Sequence, residues 1–177
     1  MGSYVVVVFV HPLAAGTRFG RREWPLHATL LRFDAAGPPA LIRRLAGGAV
    51  ARVRRGTALV GADDRFGRGG SVPVSLLAEA ETLSALHREL HAALTGDPEA
   101  GTRLPGPRHA LGGYRPHISH TTGRPHPGER LEVAEAALVD MRPDGDSRYR
   151  KVLAVWPLDD GGRSPHGERP PSSSGTG

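Results

Sequence analysis

The chain has 177 residues, 38% of them hydrophobic and 23% charged, with 24 Gly, 16 Pro and a net charge of +5. That length suits one ordinary domain or two small packed lobes, and no stretch approaches the roughly 18 apolar residues of a membrane span. The absence of cysteine excludes disulfides, thiolate metal sites and a cysteine nucleophile.

The longest apolar run, Tyr4 to Val10, has neither the length nor the basic prefix of a signal peptide. A cytoplasmic location without membrane attachment is therefore expected. Of the 23 cationic residues only Lys151 is a lysine. Such Arg, Ala, Gly and Pro enrichment is what a GC-rich, bacterial-type genome produces. The positive field still attracts phosphates.

In chain order, Tyr4–Val10 reads as a buried strand because its apolar residues are continuous rather than alternating. A Gly/Arg-rich loop, Ala14 to Glu23, precedes a second strand over Leu26–Phe33. Pro38 and Pro39 suit the first turn of a helix that buries Leu41, Ile42 and Leu45 and stops at Gly47-Gly48. Strands follow over Val50–Val60 and Ser71–Ala78, with Asp63 to Gly70 as the loop between them and Asp63-Asp64 as a turn. Glu79–Leu94 is the clearest helix, with Leu83, Leu86, Leu90 and Leu94 at helical spacing. A long Gly/Pro loop runs from Gly96 to Gly113. The last strands are Tyr114–Thr121, Leu131–Met141 and Arg148–Leu158. Residues 160–177 lose all apolar period and read as a disordered Gly/Ser/Pro-rich tail. This order is not the regular alternation of a doubly wound sheet, and it predicts an α+β fold with antiparallel sheets.

Two histidines stand in matching contexts, Trp24-Pro25-Leu26-His27-Ala28-Thr29 and Tyr114-Arg115-Pro116-His117-Ile118-Ser119. Each has an aromatic and a proline just before His-x-Ser/Thr, and the two lie 90 residues apart (117 − 27). Alternate side chains of a strand share a face, so His27 lies beside Thr29, and His117 beside Ser119. If the two strands are neighbours, two imidazoles and two hydroxyls line one cleft. A phosphate fits there, with one imidazole taking a proton and the other giving one, and the hydroxyls donating to its oxygens. Such an arrangement needs no metal.

These two motifs, their spacing and the phrase Arg115-Pro116-His117-Ile118-Ser119 resemble the 2H phosphoesterase superfamily. Within it the chain is most similar to the bacterial 2'-5' RNA ligase group, also described as RNA 2',3'-cyclic phosphodiesterases. The resemblance runs from about Tyr4 to Leu158 and implies a bilobal domain over residues 1–159. Each of its two pseudo-symmetric lobes is an antiparallel sheet flanked by helices, with the active cleft between them. It implies metal-independent opening of 2',3'-cyclic phosphates on RNA ends or small nucleotides, or reversible 2'-5' RNA ligation, with His27, Thr29, His117 and Ser119 as the catalytic set. Its partners are RNA ends or nucleotides carrying a cyclic phosphate. No cofactor and no metal are implied, and a monomer is expected.

Around the quartet, Arg115 shares parity with His117 and suits the cleft edge, and Trp24 and Tyr114 are candidates for stacking on a base. Arg124 is the nearest basic residue past the second motif. His120 stands where the family usually has an apolar residue, and strand alternation turns it away from His117. Ser119 replaces the commoner Thr and keeps the hydroxyl. His87 and His91 have metal-ligand spacing on one helix, but His87-Arg88-Glu89-Leu90-His91 is not H-E-x-x-H and no third ligand is marked. A non-catalytic module binding nucleotides or RNA ends keeps the same residues, and a zinc hydrolase on His87 and His91 is the remaining alternative.

Overall fold

The computed structural model describes residues 1–106 and 111–161. Most of the segment read as a tail, together with His109 and His166, lies outside the described residues, as does part of the long Gly/Pro loop. The elements in order are β1 (Gly2–Phe9), β2 (Arg18–Gly20), β3 (His27–Ala35), α1 (Pro39–Val50), β4 (Gly56–Phe66), β5 (Val72–Ala78), α2 (Glu81–Gly96), β6 (Thr102–Arg103), β7 (His117–Ser119), β8 (Arg130–Val133), β9 (Glu135–Asp140) and β10 (Tyr149–Pro157). The fold is α+β, with one ten-stranded sheet in the order β2-β10-β9-β1-β3-β7-β5-β4-β8 and β6 beside β3. Every ladder between these strands is antiparallel. No helix among the described residues is long and apolar enough to cross a membrane.

The two halves expected from the repeat are present, but they do not follow the halves of the chain. Strands β9 and β10 return from the C-terminal side to pair beside β1. The physical reason lies in β1 itself. Its Val5 to Val8 are all buried, so both faces and both edges need cover, and β3 and β9 supply the edges. The half containing β7, β5, β4 and β8 is thus inserted between the segments of the other. The halves meet edge to edge at β3 and β7, through the single pair Ala28–Ile118.

Both helices lie on one side of the sheet. α1 packs against β9 and β10, α2 against β3 and β4, and the helices against each other. The four leucines of α2 are fully buried, each contributing about 1.5–3 kcal/mol of burial. α1 runs through Gly47-Gly48 to Val50 instead of stopping there. Gly47 faces the Trp156 indole so closely that a Cβ would lie 2.7 Å from its ring nitrogen, so this glycine permits close approach and is not a stop signal. Asp63 and Asp64 also depart from expectation, since they lie within β4. The β4–β5 hairpin turns beyond them, where Gly67, Gly69 and Gly70 take positive φ.

One irregularity in β3 sets which of its side chains reach the open face. Val6 pairs with Leu31 but Val7 with Thr29, so β3 carries an extra residue, a bulge, at Leu30. Ala28, Leu30, Leu31 and Phe33 all enter the core under the helices. His27, Thr29, Arg32 and Asp34 take the opposite, open face, opposite Phe9, Val7, Val5 and Ser3 respectively.

Candidate active site

The open face carries the two motifs side by side. Ala28 pairs with Ile118, and both point into the core. Continuing that antiparallel register sets His27 opposite Ser119 and Thr29 opposite His117. Each histidine therefore faces the hydroxyl of the other motif, and the two imidazoles stand on a diagonal. Ladder geometry separates such diagonal positions by about 7–8 Å, room for a phosphate between two rings.

Each ring is fixed by the same local device. Nδ1 of His27 lies 2.7 Å from the Pro25 carbonyl, and Nδ1 of His117 lies 2.7 Å from the Arg115 carbonyl. A carbonyl only accepts, so Nδ1 carries the proton in both rings. Nε2 is then the free position of the neutral imidazole, a base when unprotonated and a donor when charged. The proline of each motif holds the preceding segment extended, and in both the acceptor is the carbonyl two residues before the histidine.

The surroundings favour the neutral rings. Burial pushes the His27 pKa below the ordinary imidazole value. The Pro25 carbonyl opposes this, and the neighbouring His117 adds to the lowering. Burial likewise lowers the pKa of His117, opposed by the Arg115 carbonyl and reinforced by the Arg115 guanidinium. Trp24 covers His27 at 4.6 Å between ring centroids, with Phe9 at 6.1 Å. Phe66 covers His117 at 4.5 Å.

Arg115 precedes β7 and reaches the ring that covers His117. Its guanidinium lies over Phe66 at 4.8 Å and donates to Asp64 at 3.0 Å. Asp64 is held below the ordinary carboxylate range first by the Arg65 backbone N–H and then by Arg115. Sequence reasoning missed Phe66 and Asp64, because the composition around both predicts a loop. Thr121 and Thr122 also escaped it. Their hydroxyls donate to the Trp24 carbonyl at 2.7 and 3.1 Å, tying the end of the second motif to the start of the first.

Two expected site residues are placed elsewhere. Tyr114 stacks on His87 at 4.2 Å with nearly parallel rings, and its hydroxyl donates to the Thr29 carbonyl at 3.0 Å. Burial holds its phenol well above the ordinary value. It packs with the core under the helices and braces the first motif from behind instead of offering a face to a base. Arg124 bonds Asp63 at 2.6 Å. Asp63 pairs with Ser75, which also pairs with Ile118, so this carboxylate stands on the face away from His117. His120 joins the same cluster, its Nε2 2.8 Å from Ser75 Oγ, turned away from His117 as alternation requires.

His87 is buried in α2, and its Nδ1 donates to the Leu30 carbonyl at 2.7 Å. With Tyr114 it fixes two consecutive carbonyls of the bulged segment. Its role is to hold β3. Among the described residues, no three His, Asp or Glu side chains gather as a metal site.

Comparison with solved structures identifies the class of fold. The chain shares it with TT0787 of Thermus thermophilus, at a TM-score of 0.57 and 23% identity over 88% of this chain and 97% of that one. It shares it equally with E. coli LigT, whose complex with NADP+ aligns at 0.53 and 17% identity, covering 89% and 98% of the two chains. The LigT complex with 3'-AMP gives 0.53 and 16% over the same shares. A phosphoesterase structure aligns at 0.52 and 18%, again over 89% and 98%. These neighbours are consistent with the resemblance to 2H phosphoesterases read from the two motifs. No family model matches the sequence, and no curated protein matches it.

Proposed function

We propose that the chain is a 2H phosphoesterase that opens 2',3'-cyclic phosphates of RNA ends or small nucleotides without a metal. The observation that carries this reading is the diagonal quartet, in which each anchored imidazole lies across from the hydroxyl of the other motif. With a cyclic phosphate between the rings, one histidine takes a proton from water as its oxygen attacks phosphorus. The other gives its proton to the ribose oxygen as the P–O bond breaks. Thr29 and Ser119 donate hydrogen bonds to the non-bridging oxygens, where charge grows in the transition state. Arg115 adds positive potential at the cleft edge, and the Trp24 indole beside His27 offers an aromatic face to a base or ribose. Ligation follows the same course with an RNA 5'-hydroxyl in place of water: one histidine takes its proton as the oxygen attacks phosphorus, the other protonates the departing 3'-oxygen, and the two ends are joined by a 2'-5' bond. The resemblance favours a 2'-phosphate product.

The test is incubation of the purified protein with a panel of 2',3'-cyclic mononucleotides and oligoribonucleotides ending in a cyclic phosphate, with products read by phosphorus NMR. Conversion to a phosphomonoester, persisting in EDTA, is expected. Binding of the panel without turnover would overturn the enzymatic reading in favour of a binding module. Loss of turnover in EDTA with recovery on adding zinc would overturn the metal-independent mechanism.

A further inference from the structure

Beyond the quartet, the same open face of β3 carries a second feature. A cavity of about 250 Å³ is lined by Arg21, Arg32, Arg142 and Arg150, with Ser3 and Asp34. Four guanidiniums thus face a single lining carboxylate. None of Arg21, Arg32 and Arg142 has a side-chain hydrogen bond or ion pair among the described residues. Arg150 is held in place, its Nη1 donating to the carbonyls of Met141, Ser147 and Tyr149 at 2.7, 2.9 and 2.7 Å. Its Nε is buried with no acceptor among the described residues. Burial lowers the pKa of Arg150, and the Arg21 and Arg32 guanidiniums lower it further, with Asp140 opposing. Like charges are therefore gathered here at a cost that an anion removes.

The placement relates this pocket to the histidines. Arg32 pairs with Val5 and His27 with Phe9. The four-residue interval along β1 is about 13 Å at 3.3 Å per residue. The β3 bulge at Leu30 is what turns Arg32 and His27 onto one face. A ligand reaching both places must carry two well separated phosphates.

We propose that Arg21, Arg32, Arg142 and Arg150 form a second phosphate site, which holds a phosphate of a nucleotide chain remote from the one between His27 and His117. This rests on the phosphoesterase reading and narrows its substrate to molecules longer than a mononucleotide. Guanidiniums suit the role because their planar donor forks match phosphate oxygens. Ser3 adds a hydroxyl at the pocket wall.

The experiment compares the full chain with Arg21→Gln and Arg32→Gln, chosen because neither side chain makes a bond that the fold uses. Turnover is measured on a 2',3'-cyclic mononucleotide and on a short oligoribonucleotide with the same cyclic end. Each variant should raise KM for the oligonucleotide about tenfold, the scale of one charge-assisted hydrogen bond, with kcat and all mononucleotide kinetics unchanged. The salt dependence of oligonucleotide KM should also become shallower. Equal losses on both substrates, or no loss on either, would overturn the site. Oligonucleotides with a 5'-phosphate and with a 5'-hydroxyl separate the two sources of the second phosphate. Selective loss with the first alone assigns a terminal phosphomonoester, and equal loss with both assigns an internucleotide phosphate.

A parallel arm does not depend on turnover. Fluorescence anisotropy reads binding of an oligoribonucleotide ending in a 3'-phosphate, with and without the two substitutions. If no substrate turns over but the arginine variants still weaken this binding, the second site stands and the enzymatic reading falls. Unchanged anisotropy binding overturns the site whatever the turnover.

Discussion

Replacing His27 or His117 by alanine separates catalysis from packing. A positioned acid or base contributes roughly 10²–10⁴-fold, which is about 2.7–5.5 kcal/mol at 1.36 kcal/mol per decade. Each imidazole also packs on an aromatic partner, Trp24 at 4.6 Å for His27 and Phe66 at 4.5 Å for His117. Such a contact is worth about 0.5–1.5 kcal/mol beyond its burial. The rate loss should therefore exceed the stability loss. Each single variant should remain folded, with a modestly lowered denaturant midpoint, and lose at least 10² in turnover of a 2',3'-cyclic mononucleotide. The double variant should be little slower than either single, because the rings act as a unit on one phosphate. Glutamine at each position is the control, since it restores bulk beside the aromatic partner without restoring proton transfer. Stability should partly return while turnover does not. A folded single variant with near wild-type turnover, or a glutamine variant that regains rate along with stability, would refute the two-histidine mechanism.

The remaining predictions concern proton affinity and the frame around the quartet. The base must be neutral and the acid protonated, so kcat/KM should fall at both low and high pH. Since both imidazole pKa values are lowered in the free protein, the optimum should lie below the ordinary imidazole value of about 6.5. Arg115→Gln removes a charge that lowers the pKa of His117 and should move one limb to higher pH; a profile that rises steadily, with no alkaline fall, would mean that no imidazolium donates. Tyr114→Phe keeps the ring on His87 but removes the donor to the Thr29 carbonyl, and should cost about 1–3 kcal/mol in chemical denaturation, with a fall in kcat. An unchanged midpoint would show that this bond does not brace β3. In α1, Gly47→Ala should destabilise, because its Cβ meets the Trp156 indole at 2.7 Å, whereas Gly48→Ala meets nothing within 4 Å. The second should therefore gain about 0.5–1 kcal/mol as a better helix former, and the reverse order of melting temperatures would contradict the packing described.

What is legible in the sequence is set by short-range periodicity. The period of two in His-x-Thr and His-x-Ser fixes which side chains share a face, and that survives any error in strand ends. The leucine stripe of α2 has the same local character. Asp63 and Asp64 mislead because charged residues ordinarily mark turns. Here β4 projects beyond the core, and Arg124 and Arg115 satisfy the two carboxylates. Arg18–Gly20 is invisible as a strand because three residues carry no period, and only pairing with β10 orders them. Tyr114 misleads for a different reason. Its neighbours in sequence are cleft residues, but its partners, His87 and Thr29, are 27 and 85 positions away. Distances of that kind leave no trace in local pattern.

The extra residue at Leu30 in β3 has a consequence for how the gene can vary. Upstream of it, odd-numbered positions of β3 face outward; downstream, even-numbered positions do. Deleting the Leu30 codon would remove the extra residue and put the two stretches back in phase, because a strand side chain has only two faces to choose from. His27, Thr29, Arg32 and Asp34 would keep the open face and Ala28, Leu31 and Phe33 the core, with the buried Leu30 side chain lost. The same deletion on either side of the bulge has the opposite result. Without Phe33, Asp34 would be driven under the helices, and without Ala28, His27 would turn inward. Across natural or laboratory-selected variants, a one-residue shortening of β3 should therefore fall at the bulge and not at Ala28 or Phe33.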